Sequence, residues 1–394
     1  MFYASALSLL AVLIILFPKA SLEASRNGLD MWWKVVFPSL LPFFIVSELL
    51  MSYGVVRFIG YLLEPIMRPV FRVPGVGGFV WVMGMASGFP AGAKLTARLR
   101  QENQITAIEG ERLVSFTNSS NPLFIFAAIS VGFFHDEKIG ILLAASHYLS
   151  NICVGIIMRF YKVHEEVILR NNNTNFSTVK NIFHRSNLFI NENQPFGKVL
   201  GDAVMNSIQT LLKIGGFIIL FSVMIKMLSM IHATDLLGKL ISYLLITIHF
   251  PEELGIPFIS GLFEITLGSQ LTSLEESSLL HKVMIVSFIL AFSGFSVQAQ
   301  VASILAETDI RFKPFFYARI IQGFLSALFT FFLFKPLYIN TSITREALPV
   351  SIIKEFSNQG AVWWNHLLQA GPIITLAALM VYIYLYCQRM IWKH

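Results

Sequence analysis

Four short stretches gather hydroxyls, amides and small residues inside otherwise apolar sequence. The first is Ser87, Gly88, Pro90, Ala91 and Gly92, with Lys94 just behind it. The second is Asn118, Ser119, Ser120 and Asn121, followed by Pro122. The third runs from Glu264 through Thr266, Gly268 and Ser269 to Gln270, and the fourth holds Ser293, Gly294, Ser296, Gln298 and Gln300. Their chemistry is recognition, not bond-making. Hydroxyls and side-chain amides give directional hydrogen bonds, and a backbone that stops and restarts as a helix presents unpaired, partly positive amides. Such ends suit carboxylates. Pro90 fits the opening turn of a restarted helix, Asn121 and Pro122 read as N-cap and N1, and Gly268–Ser269 and Ser293–Gly294–Ser296 read as turn-and-cap positions. The same residues also serve tight helix packing and kinks. A single break favours that plainer reading; four at matched positions favour a binding site.

The charged residues near these stretches each have two readings. Lys94, one turn into a restarted helix, either draws an anion or snorkels to the interface, and Arg98 and Arg100 lean towards the interface. Glu264 is an intramembrane carboxylate that needs a partner, a proton or a role, so it binds substrate or carries a coupling proton. Glu48 and Lys213 lie within spans and are either functional or paired inside the bundle. His147 and His281 fall near span ends and read as interfacial. No GxSxG, HExxH or GxxxxGK[ST] pattern occurs, and no metal-ligand spacing does either, so neither an enzyme nor an ATP-driven machine is expected.

The elements that hold these stretches are membrane helices. Of 394 residues, 55% are hydrophobic and only 13% charged, where soluble domains carry about 25% charged residues. Mean hydropathy is +0.67. The net charge of +6 bears on topology, and no basic run interleaved with aromatics points to nucleic acid. Cys153 and Cys387 sit in apolar segments and read as buried free thiols. Residues 1–17 lack a basic n-region and read as a retained anchor helix.

Apolar runs long enough to span occur near 35–56, 108–134, 139–160, 201–225, 281–306, 315–334 and 371–388. Runs 73–93 and 255–272 are interrupted and read as re-entrant hairpins. The two sides of the polar stretch 161–198 resemble each other. Ser39 pairs with Thr210, Leu95–Thr96 with Leu271–Thr272, and Ser115 with Ser287, at shifts of 171, 176 and 172 residues. Each half then holds three full spans, and an odd count turns the second half upside down. The expected organisation is an anchor helix and loop (1–34), a first repeat (35–160), a polar cytoplasmic linker (161–198), a second inverted repeat (199–334), and a loop with a last helix (335–394). The fold class is an all-α polytopic membrane protein of two inverted repeats, each with a re-entrant helical hairpin and a broken transmembrane helix. With residues 57–112 on one face, that face collects 17 basic residues against 10 on the other, which makes it cytoplasmic.

The motifs SGFPAGAK (87–94), TNSSNPLFI (117–125) and GLFEITLGS (261–269), in this order, resemble those of the YlbJ-type sporulation integral membrane proteins, within the nucleoside-recognition or Gate group. The resemblance runs from about Phe37 to Phe334. The Gate group is similar to the concentrative nucleoside transporters, which implies two inverted hairpin-plus-broken-helix repeats around a midplane site. On that likeness the site maps to Ser87–Lys94, Asn118–Asn121, Glu264–Gln270 and Ser293–Gln300. The nucleoside transporters place acidic ribose ligands in the first hairpin and second broken helix, where this chain has no carboxylate. The resemblance implies a small organic anion, dipicolinate, carried across the outer forespore membrane by alternating access. An ion-coupled carrier of nucleosides or other neutral solutes and a non-transporting scaffold of the sporulation machinery stay open. No cofactor is expected beyond a coupling H+ or Na+. The expected partners are the anion and the bilayer, with no nucleic acid and with homo-oligomerisation left open.

Overall fold

In the first half a continuous helical rod, Pro18 to Ser52, supports everything that follows. The computed structural model describes residues 2–53, 55–163, 165 and 195–340. Most of the 161–198 linker, the loop beyond Asn340, the expected span at 371–388 and Cys387 lie outside the described residues. Helix α1 (Phe2–Leu16) bends sharply at Phe17 into α2 (Pro18–Met31), at 107°. A π-wound turn, Trp32–Val36, carries α2 into α3 (Phe37–Ser52). Then come α4 (Val55–Phe71), α5 (Val76–Ser87), α6 (Ala91–Gln101), α7 (Ala107–Thr117), a π-wound segment Phe124–Phe133, and α8 (Glu137–Met158). The second half runs α9 (Phe196–Met230), α10 (Ala233–Thr247), α11 (Gly255–Phe263), α12 (Ile265–Leu274), α13 (Leu279–Phe292), α14 (Gly294–Leu305) and α15 (Phe312–Phe334). Among the described residues there is no strand. Among the described residues, four helices are long and apolar enough to cross a membrane, or up to six if each bent pair is one span.

The two halves repeat each other in detail. Rod α2–α3 and its counterpart α9 pack side by side and run antiparallel: Ser222 donates to the Ala24 carbonyl, and the Trp32 indole donates to the Leu211 carbonyl at 2.9 Å. Helices α5 and α6 form one hairpin, α11 and α12 the other. Thr96 Oγ1 bonds the Gly92 carbonyl and Thr272 Oγ1 bonds the Gly268 carbonyl, each at 2.7 Å, in the register that relates Leu95–Thr96 to Leu271–Thr272. Small residues let the hairpin arms close: a Cβ on Gly268 would overlap the Gly261 backbone. Both broken spans start from a cap, Thr106 for α7 and Ser278 for α13. At Thr106 the cap is reciprocal, with Glu109 reaching back to the Thr106 amide at 2.9 Å.

Contacts between loops follow the predicted parity. Arg100, on the first hairpin, grips Asp309, and Arg311 grips Glu111, so the 57–112 and 307–314 segments share a face. Tyr338 donates to Asp136 on the other face, at 2.7 Å. Asp309 is held below the usual carboxylate range by its bond from Arg100.

Several positions differ from the sequence reading. Pro90 is the N-cap residue of α6 and not its first turn, with Ala91 opening the helix. The second hairpin turns at Glu264, so Gly268 and Ser269 lie inside α12 as packing residues. The second broken span interrupts at Ser293–Gly294 alone, both with positive φ, while Ser296 is already helical. Helices α4 and α10 were not anticipated. Each is shorter than a span, and α4 carries Glu64, Arg68 and two prolines, which hides it from a search for apolar runs. Their exposed Leu62, Ile66, Leu236 and Leu240 show faces suited to lipid.

Gly268→Ala is expected to lower the detergent-solubilised protein's thermal midpoint, costing about 1–3 kcal/mol for an overpacked contact. Gly216, which has nothing within 4 Å of an added Cβ, is the control. Gly216→Ala should leave the midpoint unchanged or raise it.

Candidate functional site

The first break is where hairpin and span meet. Helix α7 ends at Thr117, and four residues pass before the chain rewinds at Pro122. Asn121 Oδ1 accepts from the Phe124 amide at 2.7 Å, so Asn121 is the N-cap and Pro122 the N1 residue, as their types predict. The other end of the same side chain donates to the Ser87 carbonyl at 3.0 Å, which pins the hairpin tip to the break. Gly88, at φ +84°, lets α5 turn there, and an added Cβ would press on Asn121. Gly84 and Gly92 bring both hairpin arms against the Thr117 carbonyl.

The second half builds the equivalent contact with fewer residues. Gly294, at φ +59°, lies against the Gly261 and Phe263 carbonyls, so the second hairpin tip also abuts its broken span. Glu264 sits at that tip and accepts from the Leu267 amide at 2.7 Å, acting as the N-cap of α12. Gln298 reaches back to the Phe292 carbonyl at 3.0 Å, taking up one of the groups the break leaves open. One hydrophobic cluster draws on both halves: Phe89, Phe124, Ile265 and Val297 all pack into it.

What marks the region is buried polarity without partners. Ser87 Oγ, both side-chain polar atoms of Asn118, Ser119 Oγ, Ser293 Oγ and Gln298 Oε1 are buried and make no hydrogen bond within the protein. Native interiors leave few such groups, and each calls for an explanation. Ser120 and Gln300 are buried nearby on the same segments. Of the other predicted residues, Ser269 Oγ inside α12 is also buried without a partner, Gln270 is exposed, and Ser296 is buried in the first turn of α14.

The sequence reading missed a second ring of polar residues behind the first break. His147, expected at a span end, is fully buried in α8, and its Nε2 accepts from the Ser120 amide at 3.1 Å. Tyr148 donates to the Ser120 carbonyl at 3.0 Å. Arg319, about two turns into α15, donates to the Asn118 carbonyl at 2.8 Å and also to the Ser115 carbonyl. Its Nε, together with Gln322 Oε1, His147 Nδ1 and the Asn151 amide, has no partner. An arginine inside an apolar span was the available signal, since such a charge marks a functional site by default.

Lys94 answers its two readings with a third. Its ammonium pairs with Glu48 on α3 at 3.0 Å and lies over the Phe44 ring, 4.9 Å from its centroid. Arg98 takes the other Glu48 oxygen. Glu48 is 3% exposed, so this cluster ties the first hairpin to the rod through a buried carboxylate. Lys213 is not enclosed; it reaches Glu307 at 2.9 Å on the exposed face.

Comparisons with known proteins agree on a family. A family model described as "Gate: Nucleoside recognition" matches residues 33–163 and 211–308. A relative from Bacillus subtilis (strain 168), described as sporulation integral membrane protein YlbJ, is 57% identical over 384 residues, covering 97% of this chain and 94% of the relative. No solved structure matches the chain.

Removing the carboxylate at Glu48 strands two cations. Glu48→Gln is expected to cost about 2–3 kcal/mol of unfolding stability, below the full value for a broken buried pair because Arg98 keeps some contact with water. Adding Lys94→Gln should recover part of that loss. A double-mutant cycle on thermal or denaturant unfolding in detergent measures the coupling.

Proposed function

This chain belongs to the Gate family and, within it, to the YlbJ group of sporulation integral membrane proteins, and from that premise we propose that it is a secondary transporter of a small organic anion. The observation that carries the reading is the set of buried, unpartnered hydroxyls and amides at the hairpin tips and span breaks. A protein leaves such groups unpaired at a cost of about 1–3 kcal/mol each, and a passenger that accepts their hydrogen bonds repays it.

The proposed passenger is dipicolinate, a compact aromatic dianion, and the proposed place is the outer forespore membrane. Sporulation in the relative's name supports the setting, and the lack of a carboxylate at Ser87–Gly92 and Ser293–Gln300 supports an anion over a nucleoside. Alternating access would move the hairpins against the paired rods α2–α3 and α9. The Ser87–Asn121 bond and the Glu48 cluster are the contacts that such movement must remake. No cofactor is part of this scheme, and a coupling H+ or Na+ is the one small ion it would use, with Glu264 as the proton's candidate carrier.

Asn118 offers a clean test, because neither of its side-chain polar atoms bonds within the protein. Calorimetry on the purified protein should show saturable dipicolinate binding that excess uridine does not displace. Asn118→Leu should fold and bind about tenfold more weakly or worse. Binding of uridine alone would transfer the site to nucleosides. A folded protein that binds neither would favour the scaffold role.

A further inference from the structure

We infer that Arg319 is the residue that makes this site select anions, by presenting a buried positive charge for which the described residues supply no carboxylate. This inference deepens the transporter reading and rests on it. Arg319 is fully buried, and among the described residues no Asp or Glu forms an ion pair with it. Glu264, the carboxylate at the second hairpin tip, is engaged with the Leu267 amide instead.

The partners that Arg319 does have are backbone carbonyls of the last turn of α7, at Ser115 and Asn118. They are the groups a broken helix leaves exposed at its negative end, and they account for the orientation of the guanidinium. They do not balance its charge. A break shows one helix C-terminus and one helix N-terminus, each worth about half a charge and of opposite sign. Their sum is near zero, which leaves the arginine as the net charge at this break.

The surroundings of Arg319 are neutral hydrogen-bonding groups and not counter-ions. Phe315 lies along the guanidinium, 5.3 Å from it to the ring centroid. Gln322 and Ser326 follow on the same buried stripe of α15, with Ser326 bonded to Ser287 at 2.6 Å. Arg319 Nε, Gln322 Oε1 and the Asn118 amide are buried without partners. A buried charge without a counter-ion costs several kcal/mol, and the planar fork of a guanidinium matches a carboxylate in shape and donors. A substrate that brings a carboxylate to this point supplies what the fold omits, and a neutral isostere does not.

The test compares the purified full-length protein's affinity for pyridine-2,6-dicarboxylate with that for the uncharged pyridine-2,6-dicarboxamide, by calorimetry in detergent. The wild type should prefer the dicarboxylate by about tenfold or more. Arg319→Gln should lose that preference and keep dicarboxamide binding within about twofold, while Arg319→Lys should retain part of the preference. Gln322→Glu keeps the arginine but places a carboxylate one turn away, and it should weaken the dicarboxylate in the same way. That variant decides the matter if Arg319→Gln does not fold. Folded variants that bind the dicarboxylate as the wild type does would overturn the arginine's role and leave the transporter standing. A wild type that binds neither compound would overturn both.

Discussion

An amide or carbonyl inside a membrane must find a partner in protein or in a wet cavity, because hydrocarbon offers none. Each unusual feature of this chain follows from interrupting four helices under that constraint. At the first break the freed groups are met by side chains from two other elements, His147 and Tyr148 from α8 and Arg319 from α15, and by the break's own Asn121, which caps the restarted helix and reaches the hairpin tip. At the second, a single left-handed step at Ser293–Gly294 frees fewer groups, and Gln298 takes one of them. The satisfied bonds hold the backbone in place. The unsatisfied side chains beside them are what remains for a ligand.

Inverted repetition explains how one chain can bring such breaks together. The antiparallel rods α2–α3 and α9 place the two halves in opposite orientation, so hairpins that enter from opposite faces share a common apolar cluster through Phe89 and Ile265. The repeat is not symmetric in charge. The first hairpin is tied to its rod by Lys94, Arg98 and Glu48, whereas the second hairpin carries its own carboxylate at Glu264. Among the described residues no Asp or Glu pairs with Arg319, which is held by backbone carbonyls instead.

The amino-acid sequence by itself determined that this is a multi-pass helical membrane protein and that Asn121–Pro122 restarts a helix. Those features are local: about twenty apolar residues, a Pro after an Asn, or a Gly at a turn act through their neighbours in the chain. The short helices α4 and α10 escaped notice because their apolar faces are periodic and brief. Only the tertiary structure decided which charges are spent and which are free. Lys94 reads as drawing an anion or snorkelling to the interface until Glu48, 46 positions earlier, is seen to neutralise it. His147 reads as interfacial until the Ser120 amide is found on its ring. Arg319 meets the Ser115 and Asn118 carbonyls across about two hundred residues of chain. Those pairings depend on the rotation and depth of packed helices, and a one-dimensional pattern of residue types does not encode either until the helices are docked.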